Sequence, residues 1–157
     1  MDKSVQEIYG NLLRVRVCGI CIRNNQLLLI NHRGLVEGDF WSFPGGGLQF
    51  GETAAECIAR EFQEETGLKV KVGDFLFACE FIEKPLHAIE LFFLVEEIGG
   101  NLSIGTDPES GENQLIRNVD FLTETEVNKI DKAHLHGIFK KTGKIDEIIA
   151  LRGYFKL

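Results

Sequence analysis

Residues 46–68 read GGLQFGETAAECIAREFQEETGL and place five carboxylates and one arginine on a single short segment. Thr53-x-x-Glu56 is a capping box that starts a helix, and Gly67 supplies a left-handed stop after it. The spacing therefore predicts a helix from Ala54 to Glu65. At about 100° per residue, Ala55, Ile58, Ala59 and Phe62 form one stripe expected to pack on a core, while Glu61, Glu64 and Glu65 gather on another side. Like charges at i, i+3 and i, i+4 repel by a few tenths (~0.2–0.5) of a kcal/mol per pair, so this cluster costs helix stability unless a cation sits among the oxygens. Hard oxygen ligands select Mg²⁺ or Mn²⁺.

A solvated acidic face is the plain alternative, and the upstream residues argue against it. Phe43-Pro44 leads into Gly45, Gly46 and Gly47, a run that lets backbone amides approach a diphosphate or lets the chain turn sharply beneath it. Gly46, Glu52, Arg60-Glu61, Glu64-Glu65 and Gly67 together resemble the Nudix box, with every fixed letter at its spacing. Phe62 stands where that family usually has an aliphatic residue.

The resemblance implies an α/β/α sandwich around a curved mixed sheet, within the α+β class that the order of elements also indicates. It implies Mg²⁺-dependent (or Mn²⁺-dependent) hydrolysis of a phosphoanhydride in a nucleoside diphosphate linked to another moiety, of ADP-ribose or nucleoside triphosphate type. Glu61, Glu64 and Glu65 are then the metal ligands, and Arg60, paired with Glu52, aims Glu61. The base that deprotonates water varies in the family. Glu112 is the outside candidate, with Glu80, Glu83 and Glu90 competing. Gly45, Gly46, Gly47, His32 and Arg33 are candidate substrate contacts, and Trp41 and Phe50 could stack on a base. Pro85, 17 positions after Leu68, lies near where ADP-ribose-cleaving relatives carry a proline.

The length of 157 residues suits one domain, residues 1–157, with a hydrophobic core. With 24 acidic against 17 basic residues, the net charge of −7 disfavours long nucleic acid and anionic membranes, leaving a small phosphorylated nucleotide as the expected partner. No apolar run approaches a membrane span and Met1 to Gly10 is polar, so a cytoplasmic protein is expected, and a homodimer is compatible with the sequence. Cys18 and Cys21 form a C-x-x-C, but the stretch reads as a strand, where residues three apart face opposite sides, and no second pair completes a zinc site.

Leu12 to Ile22 and Gln26 to Asn31 are expected strands joined by a turn at Asn24-Asn25. His32 to Trp41 reads as a loop, Val70 to Val72, Asp74 to Glu83 and His87 to Glu96 as strands, Gly99 to Asn113 as a mobile loop, and Gln114 to Phe121 as a strand. Thr123-x-x-Glu126 is a second capping box, opening a helix towards Lys132. His134 to Lys141 is ambiguous, and Lys144 to Leu157 fits either a helix or a strand. Two further readings stand beside the hydrolase: a catalytically silent nucleotide-binding Nudix-like regulatory domain, and a structural Ca²⁺-binding helix, which lacks EF-hand spacing.

Overall fold

Alternation along the first strand sets the layers of the fold. Val17 and Cys21 face one side of the sheet, and Cys18 and Ile20 face the other. In the computed structural model, which describes residues 3–106 and 115–157, this strand is β1 (Leu13–Arg23). A helix, α1 (Lys3–Tyr9), precedes it. Then come β2 (Gln26–His32), β3 (Phe40–Ser42), β4 (Gly45–Gly47), α2 (Ala54–Thr66), β5 (Leu68–Glu83), β6 (Leu86–Gly100), β7 (Ile116–Leu122) and α3 (Glu124–Lys129). Two 3₁₀ turns (Lys132–His134 and Gly137–Lys140), α4 (Ile145–Ala150) and β8 (Gly153–Lys156) complete the chain.

The sheet is mixed. β1 lies parallel to β6 over Leu13–His87 to Cys21–Val95, and its other edge is shared by β4 and, beyond the hairpin, β2. β5 runs antiparallel to β6 with three register shifts, the irregularities that bend a long strand, and β8 adds in parallel outside it. Asn24 and Asn25, at φ 50° and 59°, make the tight hairpin turn that two left-handed residues give. α2 covers one face, burying Cys57, Ile58 and Phe62 against Val17, Leu28, Ile30 and Val95. The other face is covered by Val127, Leu135, Ile138, Phe139, Ile145 and Ile148, against Leu27, Leu29, Phe77 and Phe92. That is the expected α/β/α arrangement. Among the described residues no helix is long and apolar enough to cross a membrane.

Phe62 has its reason here. Its ring lies on β1 at Gly19, where any Cβ would strike it, so the helix carries a large residue where the strand carries none. Cys18 and Cys21 are free thiols buried on opposite faces, as the strand reading required.

Several boundaries differ from expectation. Ala55 and Ala59 are exposed and Cys57 is buried in their place, because the buried arc of α2 is rotated to include Glu61 and Glu65. The stretch read as a loop from His32 to Trp41 runs into β3 at Phe40, and the glycine run forms β4. Gly99 and Gly100 end β6, and the chain after them is docked: the amides of Ser103, Gly105 and Thr106 donate to the carbonyls of Thr66, Glu65 and Glu64. These bonds satisfy the open C-terminal end of α2, so this part of the expected mobile loop is tied down. α3 stops at Lys129, and the C-terminal stretch holds both a helix and a strand.

Candidate active site

α2 carries the first half of the site. Its start is the reciprocal Thr53–Glu56 box, and Gly67, at φ 72°, ends it. At the middle of the helix, Arg60 reaches back to Glu52 with a two-pronged contact, Nε to Oε1 at 2.8 Å and Nη2 to Oε2 at 3.1 Å. Its Nη1 donates to Glu61 Oε1 at 2.6 Å and Glu64 Oε2 at 3.2 Å. The guanidinium thus ties three carboxylates together; its pKa is pushed up, first by the bond to Glu52, while that bond holds Glu52 below the usual carboxylate range. Glu61 and Glu65 are each 3% exposed.

β4 explains how two carboxylates can be buried there. The amide of Gly45 donates to Glu65 Oε2 at 2.9 Å. The Glu61 carboxylate lies against Gly46, in the space a Cβ would take. The glycine run was expected to open amides to a diphosphate; in the fold it is a strand on β1, the Gly45 amide is already paired, and the absent side chains make room for Glu61 and for the β1 backbone.

In front of these groups is a cleft of about 470 Å³. Glu61, Glu65, Gly45 and Gly46 line it, together with Arg14, Arg16, His32 and Glu90 from the sheet and Lys132, His136 and Lys140 from the C-terminal segment. Leu35, Val36, Phe40 and Leu135 give it an apolar wall. Of the expected substrate contacts, His32 is in the cleft, while Gly47 and Arg33 do not line it and Arg33 is exposed. Glu52, Arg60 and Glu64 are not among the residues that line it. Trp41 packs on the core, Phe50 is fully exposed, and Pro85 sits in the β5–β6 turn outside the lining. Glu112 lies outside the described residues. Among its competitors, Glu80 bonds Tyr154 and His87, Glu83 is an exposed residue at the cleft, and Glu90 is buried within it.

Arg16, Glu90 and His136 are the residues that sequence reasoning missed as a group. Arg16 Nη1 meets Glu90 Oε1 at 3.3 Å, and His136 Nε2 meets Glu90 Oε2 at 2.7 Å. Burial alone would raise the Glu90 pKa; His136, Arg16 and Arg14 outweigh it and bring it down to about 2.

His32 is shifted the other way for a base. Burial first, and then the Arg16 charge, lower its pKa from 6.5 to about 3. The unfolded chain therefore binds this proton more readily, so stability is complete above about pH 6.5 and falls as pH drops towards 3. The expected loss is roughly 2–3 kcal/mol between pH 7 and pH 4.5, a window above most of the Glu90 titration. Denaturant unfolding at both pH values checks this: His32→Asn is expected to remove most of the difference, and an unchanged pH dependence contradicts the assignment.

Glu61, Glu64 and Glu65 offer hard oxygens of the kind Mg²⁺ or Mn²⁺ takes, two of them buried at the cleft, so the chemistry of the donor set fits such an ion. As the side chains lie, Glu61 and Glu64 turn to Arg60 and Glu65 to Gly45, and among the described residues no three His, Cys, Asp or Glu side chains form a metal-holding group.

A model of the NUDIX domain matches residues 12–141, and the chain belongs to the Nudix family. It is 35% identical over 100 residues to an ADP-ribose pyrophosphatase of Methanocaldococcus jannaschii, covering 62% of this chain and 59% of that protein, less than two thirds of its length. It is 38% identical over 80 residues to an 8-oxo-dGTP diphosphatase of Proteus vulgaris, covering 50% of this chain and 70% of that one. A Nudix hydrolase of Nitrosomonas europaea shares the fold at TM-score 0.69 and 17% identity, over 92% of this chain and 78% of the other.

Proposed function

We propose that this chain, as a single domain, hydrolyses a phosphoanhydride bond in a nucleoside diphosphate linked to another moiety, with a divalent metal held by Glu61, Glu64 and Glu65. The observation that carries this reading is the pair of buried carboxylates, Glu61 and Glu65, facing a cleft that also holds Arg14, Arg16, Lys132 and Lys140. Acidic groups suit a cation, and the cations around them suit the phosphates. Mg²⁺ or Mn²⁺ there would neutralise charge on the phosphate oxygens and activate the attacking water.

The protein's own side chains have separable tasks. Arg60, fixed by Glu52, sets the direction of the Glu61 carboxylate. The basic residues neutralise the diphosphate, and Leu35, Val36, Phe40 and Leu135 exclude water beside the nucleoside. Relatives named for ADP-ribose and for 8-oxo-dGTP make both compounds the first to try.

The tie between Arg60 and the Glu61 and Glu64 carboxylates favours a second reading, a nucleotide-binding domain that does not cut. A panel of nucleoside diphosphate derivatives, with Mg²⁺ and then with excess chelator, separates them. We expect monophosphate or phosphate release that full chelation abolishes and added Mg²⁺ restores. Activity that survives chelation rejects the metal; binding without cleavage of any compound favours the silent domain.

A further inference from the structure

Arg16 and Glu90 sit opposite each other in the parallel β1–β6 register, with His136 brought to them from the C-terminal 3₁₀ turn. We propose that Arg16 contacts a phosphate of the bound diphosphate, and that Glu90 and His136 are positioning residues that hold its guanidinium in place. The proposal rests on the phosphoanhydride reading above and adds residues outside the Nudix box to it.

The tether can be followed bond by bond. His136 Nδ1 accepts from the Ile138 amide at 3.3 Å, which puts the ring hydrogen on Nε2, and Nε2 donates to Glu90 at 2.7 Å. The His136 amide donates to the Trp41 carbonyl at 2.8 Å, and the ring packs against Phe43 and Phe92, so the imidazole has little freedom. The other Glu90 oxygen takes Arg16 Nη1. Arg16 Nη2 donates to the Gly45 carbonyl at 3.1 Å, and Gly45 is the residue whose amide holds Glu65. A single residue, Gly45, therefore anchors both a cation and a candidate metal-ligand carboxylate, fixing their relative placement.

One donor is left over. Arg16 Nε is buried and has no hydrogen-bond partner among the described residues. An ion pair that served only to close the seam between β1 and β6 gains nothing from placing its arginine on a cleft wall with an unsatisfied N–H. A phosphate oxygen is the acceptor a guanidinium matches best, and the Arg16 side chain, 24% exposed on the cleft wall, is open to one beside its buried Nε.

The test uses methylenediphosphonate, a diphosphate analogue that cannot be hydrolysed, so it reads Arg16 even if no compound is cut. With Mg²⁺ present, Arg16→Gln is expected to raise its Kd about 10- to 100-fold, with Arg16→Lys falling between that variant and the wild type. In nitrogen-15 NMR, the Arg16 Nε–H resonance, assigned by its loss in Arg16→Lys, is expected to shift on adding the analogue and to broaden in Glu90→Gln. Where turnover is measured, Glu90→Gln is expected to lower kcat about 30-fold with KM within threefold, and the Arg16→Gln/Glu90→Gln double variant to be no slower than Arg16→Gln. Wild-type affinity in Arg16→Gln, no binding by the wild type, or an unmoved resonance overturns the phosphate contact. Additive losses in the double variant overturn the positioning role. Absence of hydrolysis across the panel, with the Kd and NMR results as expected, would count against the hydrolase and leave the Arg16 assignment standing.

Discussion

Glu61→Gln is expected to lower kcat by about two or more orders of magnitude while leaving the fold in place. The amide has nearly the carboxylate's shape, so it still fits against Gly46, but it is neutral and a poor ligand for a hard divalent ion. Arg60 keeps its two-pronged contact with Glu52 and its bond to Glu64, so α2 loses one link rather than its anchor. A loss confined to the chemistry appears in kcat at saturating substrate, with the circular-dichroism spectrum unchanged. Glu56→Gln is the comparison, since Glu56 serves the exposed capping box, where glutamine also caps, and its change is expected to leave turnover untouched at little cost in stability. Full turnover in Glu61→Gln would end the metal-cluster reading.

The parts of this molecule legible in its sequence are those specified by neighbouring residues. Thr53, Glu56 and Gly67 mark the helix ends through contacts three or four positions away, and Asn24-Asn25 marks its hairpin by left-handed backbone preference. The stripe on α2 was misplaced because a carboxylate is ordinarily counted as facing water, whereas Glu61 and Glu65 point inward and rotate the buried arc past Ala55 and Ala59. β4 was hidden because three glycines carry neither alternation nor β-propensity. The docking of Ser103 to Thr106 was hidden as well, since it uses backbone amides, which every residue type carries.

Arg16 and Glu90 are 74 positions apart and meet through the β1–β6 pairing, and His136, 46 positions from Glu90, reaches them through the C-terminal 3₁₀ turn and its bond to Trp41. The one trace in the sequence was Arg14 and Arg16 alternating with apolar residues on β1, a pattern that fits an open strand face equally well. Family membership carries the box residues across this gap. The cleft wall opposite the box comes from the particular side chains of this chain.

Alanine at two adjacent glycines is expected to separate folding from chemistry. Gly45 has φ 148°, and a Cβ there would strike the Val17 carbonyl oxygen and crowd the Cys18 Cα at 2.7 Å. Both obstacles are backbone atoms of the central strand and cannot give way. Strain and overpacking together put the cost of Gly45→Ala at about 2–5 kcal/mol, a large part of the stability of a domain this size. At Gly46, by contrast, the nearest atoms to a Cβ belong to the Glu61 carboxylate, the far end of a rotatable side chain. Gly46→Ala is expected to fold with a smaller stability loss but to swing that carboxylate away from the cleft, lowering kcat about 100-fold. Thermal unfolding and kcat measured on both variants decide the matter: equal stability losses, or wild-type turnover in Gly46→Ala, would show that the bare strand is not what holds Glu61 in its working position.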